Sequence, residues 1–125
     1  MILSEVISKE PLGPLVRAGD EDFAKLVQYV LFGMIEAEEL GITSSNIDSH
    51  ANSQNPKIQR LLGQAEMPYG HVGLESDFVY RTVKHIGNYG EIYDRFVGPE
   101  TSIGLTRGLN SIWKDGGILY VPPFR

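Results

Sequence analysis

Residues 21–40 constrain the fold most strongly, because their apolar side chains repeat at the spacing of one helix face. Asp20 stands before this run as a helix N-cap, and Gly41 follows it as a natural stop. The apolar stripe consists of Phe23, Leu26, Val27, Val30, Leu31, Met34 and Ile35. We therefore predict a long amphipathic helix, with Tyr29 and Phe32 projecting away from the stripe toward a second surface.

A short extended segment is predicted just before this helix. Its apolar residues are Leu12, Leu15 and Val16, which lie among Pro11, Gly13 and Pro14. Proline has no N–H to donate to an interior ladder, so the composition favours an edge strand that ends in a turn before Asp20.

The middle of the chain predicts short helices separated by loops. A turn is expected through Ile47 and His50, and a helix over residues 57–62, capped by Asn55 and stopped by Gly63. A further helix is expected after Ser76 as its N-cap, ending near Gly87.

The last third of the chain predicts two more helices. Tyr89, Ile92, Tyr93 and Phe96 lie at helical spacing, and the Gly-Pro pair at 98–99 ends that run. A helical face formed by Leu105, Leu109, Ile112 and Trp113 follows and is stopped by Gly116. An extended tail over residues 118–124 completes the chain.

Two segments carry a resemblance to a known family. They read Pro-Leu-Gly-Pro-Leu-Val-Arg at residues 11–17 and Gly-Asn-Tyr-Gly-Glu-Ile-Tyr-Asp-Arg-Phe-Val-Gly at residues 87–98. With the long helix between them, they resemble the C-terminal end of the amino-acid-binding subunits of ABC uptake transporters. The general L-amino-acid-binding branch is the most similar. Residues 38–48, 60–63, 73–78, 107–110 and 116–125 extend the resemblance over nearly the whole chain.

The resemblance implies a mainly α fold, or α+β with one or two short strands, like the C-terminal portion of a type II periplasmic binding protein. We expect one domain over residues 1–125, a length within the usual single-domain range. Complete members of the family have two lobes that close about a hinge. The chain is therefore interpreted as a truncated, non-catalytic relative. The family is periplasmic, although residues 1–5 lack a signal-peptide pattern, which predicts the cytoplasm if Met1 is the native start.

The resemblance assigns no ligand-binding residue to this chain, because the family's amino-acid-binding residues lie upstream of the matching segments. Glu10, Leu12 and Gly13 resemble the second hinge crossing and are the candidates for a cleft edge. Half a cleft lacks the convergent polar groups that a zwitterion needs. We expect amino-acid binding only if another lobe completes the site.

The apolar helix faces are expected to need a partner, because in the family such helices pack on a sheet built by the N-terminal half. Each large apolar side chain is worth about 1.5–3 kcal/mol when buried. A two-fold homodimer is the favoured solution, and packing by the chain's own short helices is the other. The predicted interface residues are Phe23, Val27, Val30, Phe32, Met34 and Trp113. An alternative is a small binding module for a peptide or hydrophobic ligand, with a pocket lined by Tyr29, Phe32, Tyr93 and Trp113.

The remaining residues argue against other classes of function. A net charge of −5 without a basic cluster disfavours nucleic acid, and no apolar run approaches the length of a membrane span. His50, His71 and His85 share no ligand spacing, so neither a metal nor another cofactor is expected. Glu36, Glu38 and Glu39 are interpreted as a solvated helix end and not as an acid/base pair. We therefore predict no enzyme and no catalytic residue.

Overall fold

The computed structural model describes residues 12–65 and 70–122. The α-helices are α1 (Glu21–Glu39), α2 (Pro56–Leu61), α3 (Phe78–Ile86) and α4 (Tyr89–Phe96). Single 3-10 turns occur at Ile47–His50, Gly70–Val72, Gly108–Asn110 and Trp113–Asp115. Within the described residues no strand forms, and one isolated parallel bridge joins Ile112 to Leu119. The mainly α class predicted from the sequence is confirmed. The predicted edge strand at residues 12–16 does not form, because the described chain offers it no neighbouring strand.

Helix α1 begins and ends where the sequence predicts. The Asp20 carboxylate accepts a hydrogen bond from the Phe23 N–H at 3.2 Å, which satisfies one of the free donors of the first turn. Leu40 caps the other end, and Gly41 follows with a φ of 70°. At 19 residues the helix is about 28 Å long, and it contacts each of the other three α-helices.

The main core lies where α1 packs on α3. Gly33 permits this close approach, because a Cβ at that position would lie 2.6 Å from Cγ2 of Val79. The buried cluster consists of Ala37, Ile42, Ile47, Ile58, Leu61, Leu62, Phe78, Val79 and Val83. Tyr29 and Phe32 pack against this cluster, so the second surface predicted for them is the main core itself. The contact at Gly33 turns their side of the helix inward.

A smaller cluster fixes the C-terminal tail to the other side of α1. Ile35, Ile112 and Val121 are buried together, and Leu31, Phe32, Tyr89 and Leu119 pack around them. Phe32 therefore contacts both clusters. The main core and the tail share α1 as their common support.

The shorter elements follow local signals where those signals are strong. Asn55 accepts a hydrogen bond from the Lys57 N–H at 3.0 Å and caps α2 as predicted, and Gly87 ends α3 with a φ of 103°. The N-cap of α3 is Asp77 and not Ser76, without a side-chain capping bond.

The predicted tail helix does not form. Gly108 has a left-handed φ of 49°, and the tail instead makes two 3-10 turns. Gly117 lies so close to the Ser111 carbonyl that no Cβ fits there. The tail is therefore folded back on itself through the bridge between Ile112 and Leu119.

Candidate functional site

An open groove, the outer groove, runs along α1 beside residues 14–16. It has a volume of about 550 Å³. Its apolar wall is formed by Pro14, Val16, Ala24, Val27, Leu31 and Phe32, and its polar residues are Glu21, Lys25 and Gln28. The polar residues all come from α1, spaced so that they share one edge of the helix. The groove is thus an apolar surface with a charged rim on one side.

A second groove, the tail groove, lies where residues 12–14 approach the C-terminal tail. Its volume is about 520 Å³. It is lined by Leu12, Gly13, Pro14, Leu31, Ile35, Tyr89, Asn110, Ile118 and Leu119. Pro14 and Leu31 line both grooves, so the two spaces flank the same short backbone segment.

The segment between the grooves exposes large apolar side chains. Leu12 is 94% exposed and Leu15 is 98% exposed. Phe23 at the start of α1 and Ile118 in the tail are also at least half exposed. This is an apolar face of the kind that marks a protein interaction site when it is contiguous.

The residues predicted as ligand contacts are poorly placed to hold a ligand by themselves. Glu10 lies outside the described residues. Leu12 and Gly13 line the tail groove, but Leu12 turns its side chain to solvent. The structure therefore places two of the three candidates at one groove edge.

The predicted interface residues do not all lie on one surface. Phe23 and Trp113 are about half exposed, and Val27 lines the outer groove. Phe32 lines the same groove while its ring packs on the core, and Val30 also packs on the main core. Met34 is partly buried.

The pocket expected for the alternative function is not assembled at either groove. Of the four residues expected to line it, only Phe32 lines the outer groove, and none lines the tail groove. Tyr29 packs on the main core, and Tyr93 donates its hydroxyl to the Thr106 carbonyl at 3.0 Å. Trp113 stacks edge-on with Tyr120, with ring centres 6.4 Å apart.

The glutamates at the end of α1 are not a solvated face, so that prediction is wrong. Glu38 forms a two-bond ion pair with Arg107, with nitrogen–oxygen distances of 2.9 and 3.1 Å. Their side chains are only 15% and 19% exposed. Glu39 pairs with Lys114 at 3.3 Å. The tail folds back and brings two cations to a helix end whose dipole favours them.

Arg107 also joins the tail to α4. Its guanidinium carbon lies 5.5 Å from the ring centre of Tyr89 and 5.2 Å from that of Tyr93. Its nitrogens donate to the Asn110 carbonyl at 2.8 and 3.2 Å. Sequence spacing did not predict the ion pair between Arg107 and Glu38, because the two residues are 69 positions apart.

Glu36 is the most perturbed acid in the described chain. One of its carboxylate oxygens is buried without a hydrogen-bond partner among the described residues. Burial and then the nearby charge of Glu39 raise the pKa of Glu36 from 4.5 to about 7, against the opposing effect of Lys57 and Arg60. Glu36 lines neither of the two grooves.

A capping box missed in the sequence fixes the start of α4. Asn88 accepts from the Glu91 N–H at 2.9 Å, and the Glu91 carboxylate accepts from the Asn88 N–H at 2.8 Å. Glu91 also accepts from the Ser44 hydroxyl at 2.6 Å. Burial favours a higher pKa for Glu91, but the hydrogen bonds from Ser44 and Asn88 outweigh it and lower the pKa. The Asn-x-x-Glu spacing is the signal that identifies such a box.

Other kinds of site find no support in the described part of the chain. No group of three or more potential ligand side chains is positioned there to hold a metal ion. None of its helices is both long enough and apolar enough to span a bilayer.

Comparison with known proteins gives close relatives. The chain is 48% identical over 126 residues to the glutamate/glutamine/aspartate/asparagine-binding protein of Rhodobacter capsulatus. It is 46% identical over 127 residues to the general L-amino acid-binding periplasmic protein of Rhizobium johnstonii, and equally to a putative amino-acid ABC transporter-binding protein of Escherichia coli K12. Each match covers all of this chain and 37% of the relative. No protein-family profile matches the chain.

A solved structure shares the fold. The periplasmic binding protein of an ABC transporter from Brucella ovis, solved with glutathione bound, superposes with a TM-score of 0.90 at 42% identity. The match covers 98% of this chain and 39% of that one. Fold and sequence thus relate the chain to one part of the periplasmic binding proteins of ABC transporters. Within that class the chain is homologous over its whole length to a part of the amino-acid-binding proteins, which confirms the resemblance found in the sequence.

Proposed function

We propose that the chain is a non-catalytic, single-domain relative of the amino-acid-binding subunit of an ABC uptake transporter, acting in the periplasm. It supplies the helical layer around α1 and does not supply a complete ligand cleft by itself. The observation that carries this proposal is the pair of apolar grooves beside residues 12–16, in a chain that spans 37% of the length of its relatives.

The chemistry of the grooves supports a protein surface as their occupant. A free amino acid needs charged or polar groups that converge on its ammonium and carboxylate. In the outer groove Glu21 and Lys25 lie along one helix edge, and the facing wall is apolar. In the tail groove the lining is apolar apart from Tyr89 and Asn110. An amino acid is therefore expected to bind only when another lobe completes the cleft.

We also propose that, in the isolated chain, a second copy covers this apolar face. Phe23, Val27 and Phe32 mark its centre, since they are exposed or line the outer groove. The full predicted set also contains Val30, Met34 and Trp113. Covering a contiguous apolar face gives about 25 cal/mol for each Å² removed from water. A two-fold contact closes on itself and avoids continued association.

Light scattering on the purified chain, run beside thermal unfolding with a panel of amino acids, tests this function. We expect a mass of twice 13.9 kDa and no rise in melting temperature with glutamate, glutamine, aspartate or asparagine. The variant Phe23→Glu is expected to weaken the dimer, and Phe96→Glu, at an exposed site on α4, serves as its control. A stable monomer whose melting temperature rises with one amino acid would contradict the proposal.

One observation favours a second candidate function. The volume of the tail groove, about 520 Å³, lies within the range of small-molecule pockets, so a hydrophobic ligand or short peptide is the alternative occupant. Titration with a fluorescent apolar dye separates the two cases. A monomer that binds one dye molecule with a defined affinity supports the alternative, and a dimer that binds none supports the first proposal.

A further inference from the structure

Residues 105–121, which we call the strap, form a compact unit within the C-terminal tail. The Trp113 N–H donates to the Leu119 carbonyl at 2.9 Å, and the Ile118 N–H donates to the Leu109 carbonyl at 3.0 Å. These bonds close the strap on itself, and the parallel bridge described above lies within it. The strap therefore keeps its shape through its own backbone bonds.

The strap joins α4 through a short loop with the properties of a hinge. The Leu105 N–H donates to the Val97 carbonyl at 2.9 Å, and the Tyr93 hydroxyl donates to the Thr106 carbonyl at 3.0 Å, so both bonds lie at this end of the strap. Gly104 comes directly before, with a φ of 67° and no atom closer than 3.8 Å to the position of a Cβ. A glycine in open space can absorb a large change in backbone angles. The strap can therefore rotate about Gly104 without breaking its internal bonds.

The strap buries little apolar surface against the helices. Of its side chains only Ile112 and Val121 are buried, and they meet Ile35 of α1 in the smaller cluster. Four of its large apolar side chains are about half exposed or more, namely Leu109, Trp113, Ile118 and Tyr120. A segment with few buried apolar contacts opens at a lower free energy than the core of the same protein.

One shielded ion pair supplies the main polar attachment of the strap. Arg107 contacts Glu38 through two nitrogens, and Gly90 makes room for the pair, because a Cβ there would lie 2.8 Å from the arginine and 3.0 Å from the glutamate. A two-nitrogen contact is the strong form of such a pair, and its low exposure limits screening by salt. The second pair joins Lys114 to Glu39 at 3.3 Å, but this lysine is 45% exposed. Exposed pairs contribute little, so Arg107 is the side chain that mainly holds the strap.

The strap is also part of the wall of the tail groove. It contributes the lining residues Asn110, Ile118 and Leu119. Leu31 and Ile35 of α1 line the same groove. Arg107 donates to the Asn110 carbonyl, so the residue that holds the strap on α1 also fixes a residue of the groove wall. A movement of the strap therefore changes the width of the groove.

We propose that the strap is a movable wall of the tail groove, which opens as one unit about Gly104 and is held closed by the ion pair between Arg107 and Glu38. Opening gives access to Leu31 and Ile35, while α1 and α3 stay packed through the main core, whose buried residues all lie before residue 84. Because opening returns both charges to water together, neither is left buried and unpaired. The inference is independent of the proposed self-association and concerns how the tail groove admits an occupant.

Hydrogen exchange of the native chain tests whether the strap opens separately. After correction for intrinsic rates, we expect the amides of Trp113 and Ile118 to exchange at least about tenfold faster than the amide of Val83, which is fully buried in α3. Opening of the strap exposes little surface, so low concentrations of urea should accelerate the Val83 amide and hardly affect the strap. Equal rates with equal dependence on urea would show one cooperative unit and overturn the proposal.

The variant Arg107→Ala tests the ion pair as the attachment. We expect the strap amides to exchange on the order of a hundredfold faster than in the native chain, while circular dichroism retains the helical signal. Trp113 is the chain's one tryptophan, and its fluorescence should shift to longer wavelength as the strap opens. Arg81→Ala is the matched control, since it removes an ion pair of the same 2.9 Å length from the exposed surface of α3. It is expected to leave the strap amides and the fluorescence unchanged.

Two further measurements connect the opening to the groove. Arg107→Lys keeps the charge but loses the two-nitrogen contact, so its strap amides should exchange at a rate between those of the native chain and Arg107→Ala. A fluorescent apolar dye should bind Arg107→Ala about tenfold more tightly than the native chain, because the opened strap uncovers Leu31 and Ile35. Unchanged dye binding, unchanged strap exchange, or loss of the helical signal together with the strap would each overturn the inference. The mass of the native chain in light scattering decides the proposed self-association separately.

Discussion

Replacing Glu36 with glutamine tests whether a buried carboxylate weakens the fold above neutral pH. The unpartnered, buried oxygen of Glu36 belongs to a group whose pKa rises from 4.5 to about 7 on folding. A group with a raised pKa binds protons more tightly in the folded state, so its ionisation destabilises the fold. The loss begins as pH rises above 4.5 and is complete once pH exceeds about 7.

The magnitude follows from these two values. The interval from 4.5 to about 7 corresponds to about 3 kcal/mol in the free energy of unfolding if the group is wholly shielded from solvent. Glu36 is only partly buried, and Lys57 and Arg60 on α2 offset part of the cost. Screening by solvent reduces the expected effect to about 1–2 kcal/mol. Glutamine keeps the shape of the side chain and removes the charge.

Urea unfolding followed by circular dichroism from pH 4.5 to pH 8 measures this effect. We expect Glu36→Gln to match the native chain near pH 4.5 and to be about 1–2 kcal/mol more stable at pH 8. Glu75→Gln, at an exposed site, is the control and is expected to differ by less than about 0.5 kcal/mol at every pH. A stability gap that does not change with pH, or a less stable Glu36→Gln at pH 8, would refute the reasoning.

Two further substitutions test the packing of α1. Gly33→Ala is expected to destabilise the native chain by about 1 kcal/mol, because the added Cβ meets Val79. In a Val79→Ala background the same substitution is expected to stabilise the chain by up to about 1 kcal/mol, because alanine has the higher helix propensity. An unchanged sign in urea unfolding of the two backgrounds would disprove the close contact. Arg107→Ala is expected to cost about 3 kcal/mol in the same assay, because Glu38 is left buried and unpaired, and Glu38→Gln in that background should recover part of the loss. Equal stability of Arg107→Ala and the native chain would show that the ion pair does not fix the tail.

Local signals predicted the helices well. The ends of α1 follow from Asp20 and Gly41, and those of α2 from Asn55 and Gly63, because capping bonds involve residues two to five apart. The spacing of apolar residues predicted α4 for the same reason. Each of these capping and spacing signals involves residues within one or two helical turns of each other.

The predictions that failed concern contacts between distant residues. The sequence did not show that the surface met by Tyr29 and Phe32 would be the main core, where Gly33 meets Val79, 46 positions along the chain. The tail at residues 105–113 has helical spacing but is pinned through Arg107 to α1 and through Ile112 to Leu119. These pairings override a weak local preference.

The candidate site also combines one feature predicted from the sequence with others that only the packing determines. Residues 12–16 were predicted as an edge strand from their composition, and no strand forms there in the described chain. The grooves themselves were not foreseen, since residues 12–16, α1, α4 and the tail meet only after folding.

The sequence alone determined where the helices begin and end and which family the chain resembles, because caps, periodicity and motif order are written in neighbouring residues. Only the tertiary structure decided which side of α1 is buried, why Glu36 is hard to ionise and where apolar surface remains open. Those properties depend on the distance between groups far apart in the chain, and that distance is fixed when α1, α3 and the tail pack together.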